Sequence, residues 1–249
     1  MKSICKKTLA KEHSESAIKE RLSKPQKHNY LADTVLGAID GCVTTFAIVA
    51  SSVGAGLSNK VALVLGVANL LADGFSMAAS NYQAAKSRQD LVKKARRDEE
   101  LHIELFPEGE KEEVRQIFAN KGFSGDILEK IVEVITSDKK LWINTMLQDE
   151  HGLQTDTPSP FISGLTTFVS FVIIGSLPLS PFLASNLDQN IIFEISCLIA
   201  AITFLLIGIT KGIVLKESIL RSGFTTFILG GGAAIIAYMV GEFSKEWIG

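Results

Sequence analysis

An all-α integral membrane fold, with five transmembrane helices and a polar helical domain inserted between the second and third, is what this 249-residue chain predicts. Three observations carry that prediction. Hydrophobic residues make up 47% of the chain, which is high for a soluble protein. They concentrate in Tyr30 to Ala85 and Phe161 to Val240, while charged residues concentrate in the N-terminal tail and in Lys86 to Asp156. The polar stretch between them has helical periodicity and no long Gly, Pro or Ser tract, so it reads as a folded unit rather than a linker. The divisions expected are a basic tail (1–29), helices 1 and 2 (30–85), the insert (86–157) and helices 3 to 5 (158–249).

The tail is Lys-rich and lacks an apolar core, which argues against a cleaved signal peptide. Crossing the hydrocarbon core takes about 20 mostly apolar residues. Five segments qualify: roughly Leu31 to Val53, Val61 to Tyr82, Phe161 to Phe182, Ile191 to Thr210 and Ser222 to Val240. Turn chemistry follows the first at Gly54-Ala55-Gly56 and the third at Pro178 through Pro181. With five spans, all of the 25 Lys and Arg except Lys60 and Lys245 fall on one side. The positive-inside rule therefore puts the tail and the insert in the cytosol and the C-terminus across the membrane.

Within the insert, residues from about Ala84 to Leu105 extend the second span, and Pro107 breaks the chain. PEGEKEEVRQIFANKG reads as a short helix closed by Gly122. DILEKIVEVI places Ile127, Leu128, Ile131, Val134 and Ile135 on one face, and LWINTMLQDEHG forms a last helix ending at Gly152. Three pairs at helical spacing offer metal donors: Glu99 with His102, Glu110 with Glu113, and Met146 with Glu150. Helical bundles build di-metal sites from carboxylates and a Glu-x-x-His pair on neighbouring helices. From spacing alone, solvated acids on an exposed face, a surface His102 and a core Met146 remain open alternatives.

The apolar spans carry acids. Asp40 lies in LGAIDGCVTTFAIVA, with Thr44 one turn on, and NLLADGFSM places Asn69, Asp73 and Met77 at i, i+4 and i+8. A charge at bilayer depth costs about 3 kcal/mol or more, so such a residue is a functional-site hypothesis by default. Carboxylate oxygen with thioether sulfur suits Fe2+ better than Mg2+ or Ca2+, and a carboxylate there can also carry protons. Met77 alone is as readily a packing residue, and Gly37 and Gly41 allow close helix approach. Asp33, near the membrane surface, needs no special role. Cys5, Cys42 and Cys197 are too dispersed for a disulfide framework or a CxxC site. No nucleotide motif and no HExxH is present, so neither ATP-driven work nor zincin-type catalysis is expected, and no nucleic-acid partner.

These residues resemble the vacuolar iron transporter family over about 30–245. The resemblance rests on GAIDGCVTTFAIVASSVGA, LGVANLLADGFSMAASNY, PEGEKEEV, WINTMLQDEHGL, FVSFVIIGSLPLSPF and LRSGFTTFILGGGAAIIAYMVG, in that order. It implies a homodimer of five-span subunits in a vacuolar-type or cell membrane. Such a protein moves Fe2+, and often Mn2+, out of the cytosol in exchange for protons, with no prosthetic group and no enzymatic activity. It further implies that Asp40 and Met77 line the path and that Glu99, Glu110, Glu113, Met146 and Glu150 bind metal in the cytosolic domain. A ligand position that is usually Glu falls on His102, and an acid usual before the tyrosine is replaced in Ser80-Asn81-Tyr82. The competing expectations are a membrane-anchored metal-storing or sensing module, against which the acids in the spans speak, and a di-metal membrane enzyme.

Overall fold

A computed structural model describes residues 6–23, 28–184 and 188–248, so Cys5 lies outside the described residues. Ten α-helices follow one another without a strand among the described residues. Two short helices, α1 (Lys6–Glu12) and α2 (Glu15–Ser23), precede α3 (Leu31–Gly54) and the long α4 (Asn59–Leu105). The insert then adds α5 (Pro107–Asn120), α6 (Gly125–Ser137) and α7 (Lys139–Asp149). The chain continues through α8 (Pro160–Leu179) with a 3-10 turn (Ser180–Leu183), α9 (Gln189–Leu215) and α10 (Ile219–Ile248). Helices α3, α4, α8 with its turn, α9 and α10 are long and apolar enough to cross a membrane.

At the centre α3 packs against α4, α8, α9 and α10. Its glycines permit this, because a Cβ on Gly41 would collide with the Phe171 carbonyl of α8. One turn further along α8, a Cβ on Gly175 would sit 2.6 Å from the Gly41 carbonyl and 2.7 Å from a Leu70 methyl. Polar side chains also join these helices. Asn81 donates from Nδ2 to Asp33 Oδ1 (2.9 Å) and Thr167 Oγ1 (2.7 Å), joining α4, α3 and α8. Asp33 and Asn81, which the sequence marks as idle and as a departure, thus form one cross-helix contact.

No proline falls between Asn59 and Leu105, so α4 runs unbroken from the apolar bundle into the insert. Pro107 ends it by disfavouring helical geometry at Phe106, then serves as the first residue of α5. Gly122, with φ +97°, turns the chain after α5. Asp138 caps α7 by accepting from the Lys140 and Leu141 amides at 2.8 and 3.3 Å. Arg96 Nη2 donates to Asn144 Oδ1 at 2.7 Å and Lys139 pairs with Glu104 at 2.7 Å, laying α7 along α4.

The insert's core contains Val114, Leu128, Val132, Ile135, Trp142 and Met146, with Ile131 partly buried against it. This corrects the face read for α6. Ile127 and Val134 are 63% and 62% exposed, while Val132 is buried. The contact is one narrow stripe through 128, 131–132 and 135, and residues 127 and 134 share a line at its edge.

Overpacking a tight helix crossing costs about 1–3 kcal/mol. Gly175→Val is therefore expected to lower the thermal midpoint of the detergent-solubilised protein clearly. Gly231→Ala, where a Cβ meets nothing within 4 Å, leaves it unchanged or slightly higher. Differential scanning fluorimetry compares the two.

Candidate metal sites

Two groups of donors stand on α4. In the insert, Glu99 is 2% exposed and Glu110 5% exposed, although both carry carboxylates. Burying a carboxylate is costly unless it is paired or coordinates a cation. Each has an oxygen, Oε2, buried and without a hydrogen-bond partner. Around them lie two triads whose donor atoms are all within 4.8 Å of one another: Glu99, His102 and Glu110, and Glu99, Glu150 and His151. Glu99 is common to both. His102 Nδ1 is 3.4 Å from Glu110 Oε1, and His151 Nε2 is 2.8 Å from Glu99 Oε1 and 3.8 Å from Glu150 Oε2.

The charges respond to this crowding. Burial first, and then the Glu99 and Glu113 charges, push the Glu110 carboxyl up to about 7. Burial and the Glu99 charge likewise raise Glu150. The hydrogen bond to Glu99 raises His151 above the ordinary histidine range, against the opposing effect of desolvation. The cluster thus holds protons near neutrality that a divalent cation would displace.

Of the residues expected here, Glu99, His102, Glu110 and Glu150 converge. Glu113 is exposed and stands outside both triads, close enough for its charge to act on Glu110, Glu150 and His151. Met146 is fully buried in the insert's core cluster, and its carbonyl accepts from the amides of Glu150 and His151 at 3.0 and 3.2 Å. His151 was missed by sequence reasoning. It lies one residue past the C-cap of α7, where helical spacing no longer applies, and Gly152 with φ +63° turns the chain after it. The EHG tripeptide, a donor beside a donor at a helix stop, is the signal that was there to read.

In the apolar bundle, α3 and α4 run antiparallel with their polar residues in register. Asn69 Nδ2 donates to Thr44 Oγ1 at 3.3 Å, and Thr44 Oγ1 donates to the Asp40 carbonyl at 2.9 Å. Asp73 is one turn from Asn69 and near enough to Asp40 for the two carboxylates to interact. Met77 follows one turn later, partly buried against the cluster that includes Leu70 and Phe171. Asp40 and Asp73 are half-buried. Asp40 also lines an open cavity of about 480 Å³ that includes Lys211.

Fold and sites together define a class: a helical membrane protein with acids among its apolar helices and a carboxylate–imidazole cluster on a polar insert. The chain belongs to the VIT family, whose model matches residues 31–242. It is 34% identical over 230 residues to a vacuolar iron transporter of Toxoplasma gondii, covering 89% of this chain and 76% of that one. It is 28% identical over 223 residues to a vacuolar iron transporter of Centaurea cyanus, covering 87% and 91%. Vacuolar iron transporter 1 of Arabidopsis thaliana is 28% identical over 211 residues, covering 84% of each chain. These relatives are named as transporters, not as enzymes.

The raised Glu110 has a consequence for stability. A carboxyl that titrates near 4.5 when unfolded and about 7 when folded stabilises the fold fully below the lower value. That contribution is lost as pH rises through about 7, and the raised Glu150 and His151 act with the same sign. In EDTA the thermal midpoint should fall between pH 6 and pH 8, and Glu110→Gln should flatten part of that fall. A midpoint in the variant that drops as steeply as in the natural protein would show that the fold does not raise Glu110.

Proposed function

We propose that this protein is a proton-coupled transporter that moves Fe2+, and also Mn2+, out of the cytosol across a vacuolar-type or cell membrane. The observation that carries this reading is α4 itself. One unbroken helix bears Asp73 and Met77 in its apolar half and Glu99 and His102 in its polar half. At 1.5 Å per residue, Glu99 lies about 33 Å along the helix from Met77. The names of the relatives agree with an iron cargo.

In this reading the insert faces the cytosol, as the distribution of Lys and Arg favours. The cluster of Glu99, His102, Glu110 and Glu150, with Glu113 at its rim, captures the ion and releases protons, Glu110 among the first because it titrates near neutrality. Met146 supports the cluster from the core or adds its sulfur to it. The ion then enters between α3 and α4, where Asp40, Asp73 and Met77 supply oxygen and sulfur donors, and Thr44 and Asn69 hold a polar lining. Protons return through the same carboxylates. Asp40, Asp73 and Met77 are only partly covered within one chain, which favours a homodimer in which a second copy closes the path.

The test is Fe2+ uptake by proteoliposomes enclosing a pH-sensitive dye, with metal added on the side that bears the insert. Asp40→Ala is expected to abolish both iron entry and the opposing proton signal. Glu110→Gln with Glu113→Gln mainly slows both. Normal flux in Asp40→Ala would rule out the proposed path. Metal binding without flux in the natural protein would favour storage or sensing.

A further inference from the structure

We infer that His151 is a metal ligand, so that the insert presents two imidazoles, His102 and His151, on either side of the shared Glu99 carboxylate. This rests on the reading that the insert binds metal. His151 Nε2 stands 2.8 Å from Glu99 Oε1, a distance that a hydrogen bond alone also gives.

Three features favour ligation. The Glu99 carboxylate reaches His151 through Oε1, while Oε2 is buried and has no partner, so the group is desolvated without being satisfied. Glu99 is 2% exposed, and its spare lone pairs beside an imidazole make a donor set that a cation would satisfy. The Nε2 of His151 is also within reach of Glu150 Oε2, so the three donors converge on one point rather than forming a chain. Charge points the same way. Glu99, Glu110, Glu150 and the nearby Glu113 are acidic, and neutral imidazoles add donors without adding repulsion.

The consequence is specificity. Carboxylates alone accept Mg2+, Ca2+ and Mn2+ readily, whereas imidazole favours Fe2+, Co2+ and Zn2+. A second histidine moves the cluster toward the nitrogen-preferring ions and away from the abundant hard ones.

The full-length protein in detergent supplies the test, with Mn2+ and Co2+ as probes. His151→Gln keeps a hydrogen-bond donor toward Glu99 but removes the imidazole. It is expected to weaken Co2+ binding about tenfold or more while changing Mn2+ binding much less. Pulsed EPR of the Mn2+-loaded His102→Ala protein should show nitrogen coupling that vanishes in His102→Ala/His151→Gln. If the His102→Ala protein binds Mn2+ without nitrogen coupling, or if His151→Gln binds both ions as the natural protein does, His151 is a hydrogen-bond partner only and the inference falls. If Glu110→Gln also leaves binding unaltered, the insert is not a metal site and the broader reading falls with it.

Discussion

A pair of carboxylates crowded together and partly or wholly withdrawn from water is the constraint on which the rest of this molecule depends. It arises twice on α4, at Asp73 facing Asp40 among apolar helices and at Glu99 facing Glu110 in the insert. In each place folding alone leaves negative charge under-compensated, at a cost that a cation or a proton removes. Because the helix is continuous, the two places have a fixed relation. The same residues that keep α4 intact, a run without proline and with Ala, Leu, Lys, Arg and Glu prominent in its polar half, also hold both sets of donors.

Packing turns that constraint into geometry. Gly41 and Gly175 let α3 and α8 approach to backbone contact, which brings α3 in alongside α4 as well. Thr44 and Asn69 then meet across the α3–α4 contact, and Asp33, Asn81 and Thr167 meet nearer the end of α3 where the chain enters. Asp40 and Asp73 are held between these two ties. Asn81 stands where the family resemblance leads one to expect an acid, and its amide donates to Asp33. In the insert, Arg96–Asn144 and Lys139–Glu104 perform the equivalent task, fixing α7 so that Glu150 and His151 close on Glu99. The Lys139–Glu104 pair is exposed and contributes little stability, so its effect is on register.

Much of this was legible in the sequence because it is periodic. The long apolar helices coincide with the expected spans to within a few residues at most of their ends, and the extension of the second span through Leu105 follows from an uninterrupted helical pattern up to Pro107. The fifth runs further, from Ile219 to Ile248, because nothing in the polar residues flanking the apolar stretch breaks a helix. What escaped was what periodicity does not encode. The α6 face was drawn too broadly, since Ile127 and Val134 are apolar but lie off the contact stripe. His151 sits past a helix end, where position is set by the turn at Gly152 and not by a 3.6-residue repeat. Asp33 and Asn81 are distant in sequence and neither signals the other, so their contact appears only once α3 and α4 are laid side by side.

The proposed link between a capture site and a transport path, both on α4, implies that iron occupies both. Anomalous diffraction at the iron edge, from crystals of the full-length protein grown anaerobically with Fe2+, addresses it most directly. One density maximum is expected at Glu99 in the insert and another between Asp40 and Met77. Iron at the insert with none beside Asp40, in a protein that still transports, would contradict it.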